Sequence, residues 1–242
     1  MSAPLEKVAL VAGGVRGLGL ACARSLAERG DRVHITYRGS HAAARELEAV
    51  FPGRVHRSDA LVSADWVQLV ASLRARDDRL DHFVHAVGEY VHGPLEHASA
   101  AELRRMLASN VESAYAGFDA VRPLLRASRG SAVFFGCSGI DGVRARRDAA
   151  LYAASKTALA VLVKSWAVEE APHGVRVNMV TPGHVPHAHA SDDTKDPALW
   201  SRIPMQRPGA PEEVASAVRW LCSSEASYTT GALLDVGGGF ML

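Results

Sequence analysis

KVALVAGGVRGLGLACARSLAERG, residues 7–30, holds a strand, a glycine turn and a helix in one unit. Lys7 to Ala12 is a short apolar run ending in glycines, the pattern of a strand buried on both faces of a parallel sheet. The turn Gly13-Gly14-Val15-Arg16-Gly17-Leu18-Gly19 follows at once, and Leu20 to Arg29 reads as an apolar-periodic helix stopped by Gly30. Glycines suit such a turn because a side chain would block approach of the backbone to a pyrophosphate, which the N–H groups and dipole of the helix N-terminus then hold. A tight turn with no ligand is the plainer alternative, and the flanking strand and helix argue against it.

Working outward, Arg32 to Tyr37 (RVHITY) predicts the second strand. A site for NAD usually carries an acid about 20 residues beyond the glycine turn, where it meets the ribose 2′-hydroxyl. Here that neighbourhood holds Tyr37 and Arg38, and Arg16 in the turn adds a second cation. Guanidinium groups match a 2′-phosphate, so NADP(H) is the preferred dinucleotide.

The rest of the chain continues the alternation. Helix about Ala42 to Val50, strand Arg54 to Ser58, helix about Asp65 to Arg76 and strand His82 to Val87 come first. A capping box, Ser99-Ala100-Ala101-Glu102, opens a helix that runs toward Arg122 before Pro123 and contains Asn110. Strand Ser131 to Phe135 leads into Gly136-Cys137-Ser138-Gly139, and a loop with Arg144, Arg146 and Arg147 reaches a helix carrying Tyr152 and ending near Glu170. Strand Val175 to Val180 ends in Thr181-Pro182-Gly183. Pro211-Glu212-Glu213 opens the last helix, and Ala232 to Val236 is the last strand. The expected fold is α/β: a doubly wound parallel sheet in three layers, one domain over residues 1–242, with ligands at the carboxyl ends of the strands. The stretch 184–210 has little periodicity, and its length suggests a substrate lid.

Bulk properties restrict the partners. The 242 residues suffice for one sizeable domain, and 27 Lys plus Arg against 26 Asp plus Glu leave a formal charge of +1. That balance gives no general reason to expect nucleic acid or a membrane surface, and no apolar run approaches a membrane span. The cysteines Cys22, Cys137 and Cys222 form no C-x-x-C and no apolar signal segment precedes them, which fits the cytoplasm. His184, His187 and His189 crowd one stretch, but no carboxylate or cysteine completes a persuasive metal set, so no metal is expected.

Tyr152-Ala153-Ala154-Ser155-Lys156 carries the chemistry. A phenol and an amine four residues apart stand one turn from each other on a helix, so a protonated Lys156 can favour the Tyr152 phenolate and make a proton donor usable near neutral pH. Alone, such a pair is commonly an amphipathic helix with a surface lysine. Here it follows the glycine turn, Asn110 and Ser138, and precedes Pro182-Gly183.

With those motifs in that order, the chain resembles the short-chain dehydrogenase/reductase family over nearly its whole length, especially members similar to 3-oxoacyl-carrier-protein reductases. The resemblance implies a bound nicotinamide nucleotide and a tetrad of Asn110, Ser138, Tyr152 and Lys156. In that tetrad Tyr152 donates the proton to a ketone oxygen and Lys156 holds the nicotinamide ribose and biases Tyr152 toward ionisation. Ser138 orients the carbonyl, and Asn110 relays protons through water. The turn contributes Gly13, Arg16, Gly17, Leu18 and Gly19 to the cofactor. Later strand ends contribute Arg38, Asp59, Ala60, Ala86 and Gly88, and Tyr152, Lys156, Pro182, Gly183 and Val185 complete the set. The implied substrate is a small carbonyl or alcohol, carrier-bound substrates included, and the implied assembly is a homo-oligomer, tetramer or dimer.

Four positions depart from the family pattern. Ala12 stands for the threonine before the first glycine, and His85-Ala86-Val87-Gly88 for Asn-Asn-Ala-Gly, so side-chain braces of those turns are missing or replaced. His187 stands for the threonine after Pro-Gly. Counting seven places on from Gly130 lands on Cys137, whereas counting back from Tyr152 favours Ser138, which is preferred because a hydroxyl polarises a carbonyl better than a thiol. Two rivals remain beside the reductase. One is a nucleotide-binding protein that senses or scaffolds without turnover. The other is an enoyl reductase, whose tyrosine and lysine lie seven apart, against which stands Ala149.

Overall fold

Short apolar runs between helices form a seven-stranded, wholly parallel sheet in the order β3-β2-β1-β4-β5-β6-β7. The computed structural model describes residues 6–186 and 200–241. The strands are β1 (Val8–Ala12), β2 (Arg32–Tyr37), β3 (Val55–Arg57), β4 (His82–His85), β5 (Ser131–Phe135), β6 (Arg176–Pro182) and β7 (Leu233–Val236). The helices are α1 (Gly17–Glu28), α2 (His41–Leu47), α3 (Ser63–Arg76), α4 (Ala100–Leu107), α5 (Ser113–Ser128), α6 (Ala150–Glu170) and α7 (Pro211–Leu221).

β1 is apolar throughout because both of its faces are covered. Val8, Leu10 and Ala12 pack into the layer of α3, α5 and α6, while Ala9 and Val11 pack into the layer of α1, α2 and α7. Elsewhere in the sheet a polar side chain sits inside where it finds a partner, as His34 does with Asp77 at 2.7 Å and His82 with Ser131 at 2.9 Å. The first layer is strongly aromatic: Phe134 lies 5.9 Å from Phe118, 6.0 Å from Phe83 and 5.2 Å from Trp166 between ring centroids. Truncating so enclosed a ring to alanine typically costs about 3–5 kcal/mol. Glu170, buried at the end of α6, is held by Arg126 of α5 through two bonds of 2.8 Å, which ties those helices together.

The chain runs outward from β1 to β3 and then returns to place β4 on the other side of β1. That reversal leaves a crevice at the carboxyl ends of β1 and β4, where open α/β sheets bind ligands. Two features differ from the sequence expectation. The long helix does not stop before Pro123. It continues to Ser128 because Pro123 and Asp119, the residue whose carbonyl loses its partner, both face solvent. Nor is it continuous, since a π-helical turn spans Ala108–Glu112 between α4 and α5.

Candidate active site

The glycine turn closes on itself so tightly that a Cβ on Gly19 would lie 2.3 Å from the Gly13 carbonyl oxygen, and Gly13 has φ +77°. No other residue fits there without moving the backbone. α1 begins at Gly17, three residues earlier than the sequence suggested, so its N-terminus faces the crevice, and no acid in its first turn offsets the dipole. The brace missing at Ala12 comes from β2, because the Gly13 N–H donates to Thr36 Oγ1 at 3.1 Å and the Gly14 N–H to the Thr36 carbonyl at 3.1 Å.

From this turn a cleft of about 1410 Å³ extends to the end of β6. Every residue expected at the site lines it. Arg16 and Arg38 stand with the glycine turn, Asp59, Ala60, Ala86 and Gly88 at the next strand ends, and Asn110, Ser138, Tyr152 and Lys156 farther along with Pro182, Gly183 and Val185. Thr36, Tyr90, Cys137, Arg202, Phe240 and Met241 also line it. Of the suggested lid, residues 187–199 lie outside the described residues, as do His187 and His189.

Asn110 owes its position to the π turn. Ser99 and Glu102 make the expected capping box on α4, and the wider turn then rotates Asn110 inward, where it is fully buried. Its Nδ2 donates to the Glu89 carbonyl at 3.0 Å, and the Glu89 N–H donates to Ser109 Oγ at 3.2 Å. Asn110 Oδ1 is buried and has no hydrogen-bond partner among the described residues. A buried acceptor left free in this way costs about 1–3 kcal/mol unless something donates to it.

α6 brings Tyr152 and Lys156 to the same cleft. Tyr90 packs edge-on against the Tyr152 ring at 4.9 Å, and Lys156 Nζ lies 5.7 Å from that ring's centroid. Lys156 is buried, and its Nζ donates to the Phe135 carbonyl at 2.8 Å. Burial lowers the Lys156 pKa to about 8, with the Cys137 thiol opposing. Burial pushes the Tyr152 phenol well above its ordinary value, and Cys137 and Tyr90 add to the rise. Burial thus acts against the expected bias toward phenolate. One of the three Lys156 ammonium protons goes to the Phe135 carbonyl, which leaves two for other partners. His85 is buried beside Phe83 and Phe134, and burial, followed by the nearby Lys156, lowers its pKa to about 3.

The two candidates at the end of β5 are placed differently. Ser138 is buried, and its Oγ donates to the Thr181 carbonyl at 3.3 Å. Cys137 is half-buried and packs with the α6 layer.

Residues 12–241 match the family model described as enoyl-(acyl carrier protein) reductase. A tropinone reductase homolog of Arabidopsis thaliana is 34% identical, the alignment covering 97% of this chain and 92% of the relative. Cyclopentanol dehydrogenase of Comamonas sp. (strain NCIMB 9872) is also 34% identical, covering 97% of each. The structure of a short-chain dehydrogenase/reductase from Serratia marcescens superposes with a TM-score of 0.89 at 32% identity, covering 99% of this chain and 100% of that one. The chain belongs to the short-chain dehydrogenase/reductase family.

As a member of this family it is an NAD(P)-dependent oxidoreductase acting on alcohols and ketones. Its residues fit the dinucleotide. The glycine turn leaves backbone where a pyrophosphate would lie, the unopposed N-terminus of α1 faces it, and the free Asn110 Oδ1 marks a polar position at the other end of the cleft. No helix among the described residues is long and apolar enough to cross a membrane.

Proposed function

We propose that the protein is an NADPH-dependent ketone reductase in which Tyr152 is the proton donor. The observation that carries this reading is one continuous cleft with Arg16 and Arg38 at its glycine-turn end and Tyr152 and Lys156 toward the other. At the first end, two guanidinium groups and no acid at the close of β2 favour a 2′-phosphate over a bare ribose hydroxyl. When bound, the reduced nicotinamide supplies the hydride. Tyr152 then passes its proton to the carbonyl oxygen as negative charge develops there. Lys156, still mostly protonated near neutral pH, offsets the charge left on the phenol oxygen and holds ribose hydroxyls. Asn110 anchors the polar group or water through which the proton is replaced.

The assembly we propose is a homo-oligomer formed through α5 and α6. Tyr115, Val161 and Val168 are exposed on these two helices, which pack together through the Tyr115 and Trp166 rings. Light scattering of the parent against Val168→Glu tests this, the variant being expected to dissociate. The free thiols Cys22, Cys137 and Cys222 suit a cytoplasmic protein.

Oxidation of NADPH and of NADH with a panel of ketones, carrier-bound ones included, tests the catalytic reading. NADPH is expected to be strongly preferred, and Arg38→Asp to narrow that preference by weakening NADPH binding. Equal affinity of the parent for both nucleotides sinks the cofactor assignment. NADPH binding without oxidation by any ketone would leave a nucleotide-binding protein instead.

A further inference from the structure

We infer that Cys137, and not Ser138, presents the side chain that meets the substrate's carbonyl oxygen, an inference that rests on the ketone-reductase reading. β5 ends at Phe135, and beyond it the regular alternation of faces no longer decides which way a side chain points. Ser138 is drawn toward β6 and β7. Its N–H donates to the Pro182 carbonyl at 3.0 Å, its Oγ to the Thr181 carbonyl at 3.3 Å, and its own carbonyl accepts from Arg146 Nη2 at 2.5 Å. The hydroxyl also lies against Gly237, so close that a Cβ there would come to 2.3 Å of Oγ. A hydroxyl has one proton to donate, and that of Ser138 has the Thr181 carbonyl as an acceptor within the protein, through a long bond.

Both residues line the cleft, but Cys137 is the less enclosed of the two. It is half-buried, lines the cleft and packs against the layer of α6, the helix that carries Tyr152 and Lys156. Its thiol is near enough to act electrostatically on both groups, raising each. Burial raises the thiol's own pKa, with Arg146 and Lys156 opposing, so it remains an S–H donor.

A thiol donates a weaker hydrogen bond than a hydroxyl, so this site polarises a carbonyl less than a serine would. Weak polarisation matters least where the carbonyl is already electron-poor. The substrate class that suits such a site is therefore an activated carbonyl, such as a 1,2-diketone or a quinone, more than an isolated ketone.

Two measurements test the assignment. Cys137→Ser is expected to raise kcat/KM for cyclohexanone roughly tenfold, and for 2,3-butanedione much less, with Ser138→Ala falling only a few-fold. A serine variant no faster on cyclohexanone, or a Ser138→Ala variant that loses turnover by orders of magnitude, overturns it. Alkylation by iodoacetamide, followed by mass spectrometry, gives a readout independent of turnover. Cys137 should label ahead of the buried Cys22 and Cys222, and saturating NADPH should protect it. Failure of NADPH to protect Cys137 while it binds also overturns the inference. Protection of Cys137 in a protein that reduces no ketone would remove the reductase reading and leave Cys137 facing the site.

Discussion

Gly88 and Asn110 touch across the site: a Cβ on Gly88 would lie 2.3 Å from Asn110 Oδ1 and 3.2 Å from Lys156 Nζ. Position 88, three residues past β4, can thus carry only glycine if the π turn is to hold Asn110 where it is. Gly88→Ala should push Asn110 outward and disturb Lys156. The expected result is a loss of kcat of about tenfold or more, with a modest fall in melting temperature, since the change is confined to the cleft. Steady-state kinetics beside thermal unfolding measure both. Unchanged kcat would mean that the Asn110 position does not matter to the chemical step.

Thr36 offers a different separation of effects. Its hydroxyl accepts the Gly13 N–H, and Thr36→Val keeps the shape while leaving that donor without a partner, at a cost of about 1–3 kcal/mol. The turn rather than the proton transfer should suffer, so KM for the cofactor should rise with kcat little changed. Thr36→Ser should restore most of the loss. A serine variant as poor as valine would show that the methyl packing, not the hydrogen bond, was being measured.

Thr36 also shows where reading the sequence stops. The glycine turn, the Tyr152 and Lys156 spacing and the alternation of strands and helices were legible because each depends on neighbours within a turn or two. Thr36 braces Gly13 across 23 positions, and no local pattern announces that. Asn110 was expected in a continuous helix, but the π turn that directs it inward reflects its bonds to the Glu89 loop. Phe240 and Met241 reach the cleft only through the path of the C-terminal segment. The choice between Cys137 and Ser138 hangs on a rotation just past the end of β5, where counting residues no longer fixes direction.

The two ionisable groups on α6 predict a pH profile. Tyr152 stays protonated throughout the working range, so the first group to lose its proton on raising pH is Lys156, near 8. kcat/KM for ketone reduction should therefore fall above about pH 8, as the charge beside the developing phenolate is lost. Tyr152→Phe should reduce turnover by orders of magnitude at every pH while NADPH affinity holds, and Lys156→Ala should damage both. Lys156→Arg should move the alkaline limb beyond the accessible range. A limb that stays near pH 8 in the arginine variant would assign it to another group.

His85 makes acid sensitivity a property of the core. Its imidazole is buried between Phe83 and Phe134, with Lys156 adding repulsion, and its pKa falls from 6.5 to about 3 on folding. Between those values the unfolded chain binds a proton that the folded one refuses, so lowering the pH favours unfolding. Above pH 6.5 both states are neutral at this position and the effect is absent. The slope is about 1.4 kcal/mol per pH unit for a fully differential proton. His34 and His82 have pKa values lowered to about 4 and about 3, chiefly by burial, and they steepen the same decline. Asparagine, a polar side chain that does not titrate, removes the His85 contribution. His85→Asn should lose some stability at pH 7, because the ring contacts go, yet its unfolding free energy should fall less steeply from pH 6.5 to pH 4 than that of the parent. Denaturant titrations across that range give both slopes, and identical slopes would mean that His85 protonates in the folded protein as easily as in the unfolded chain.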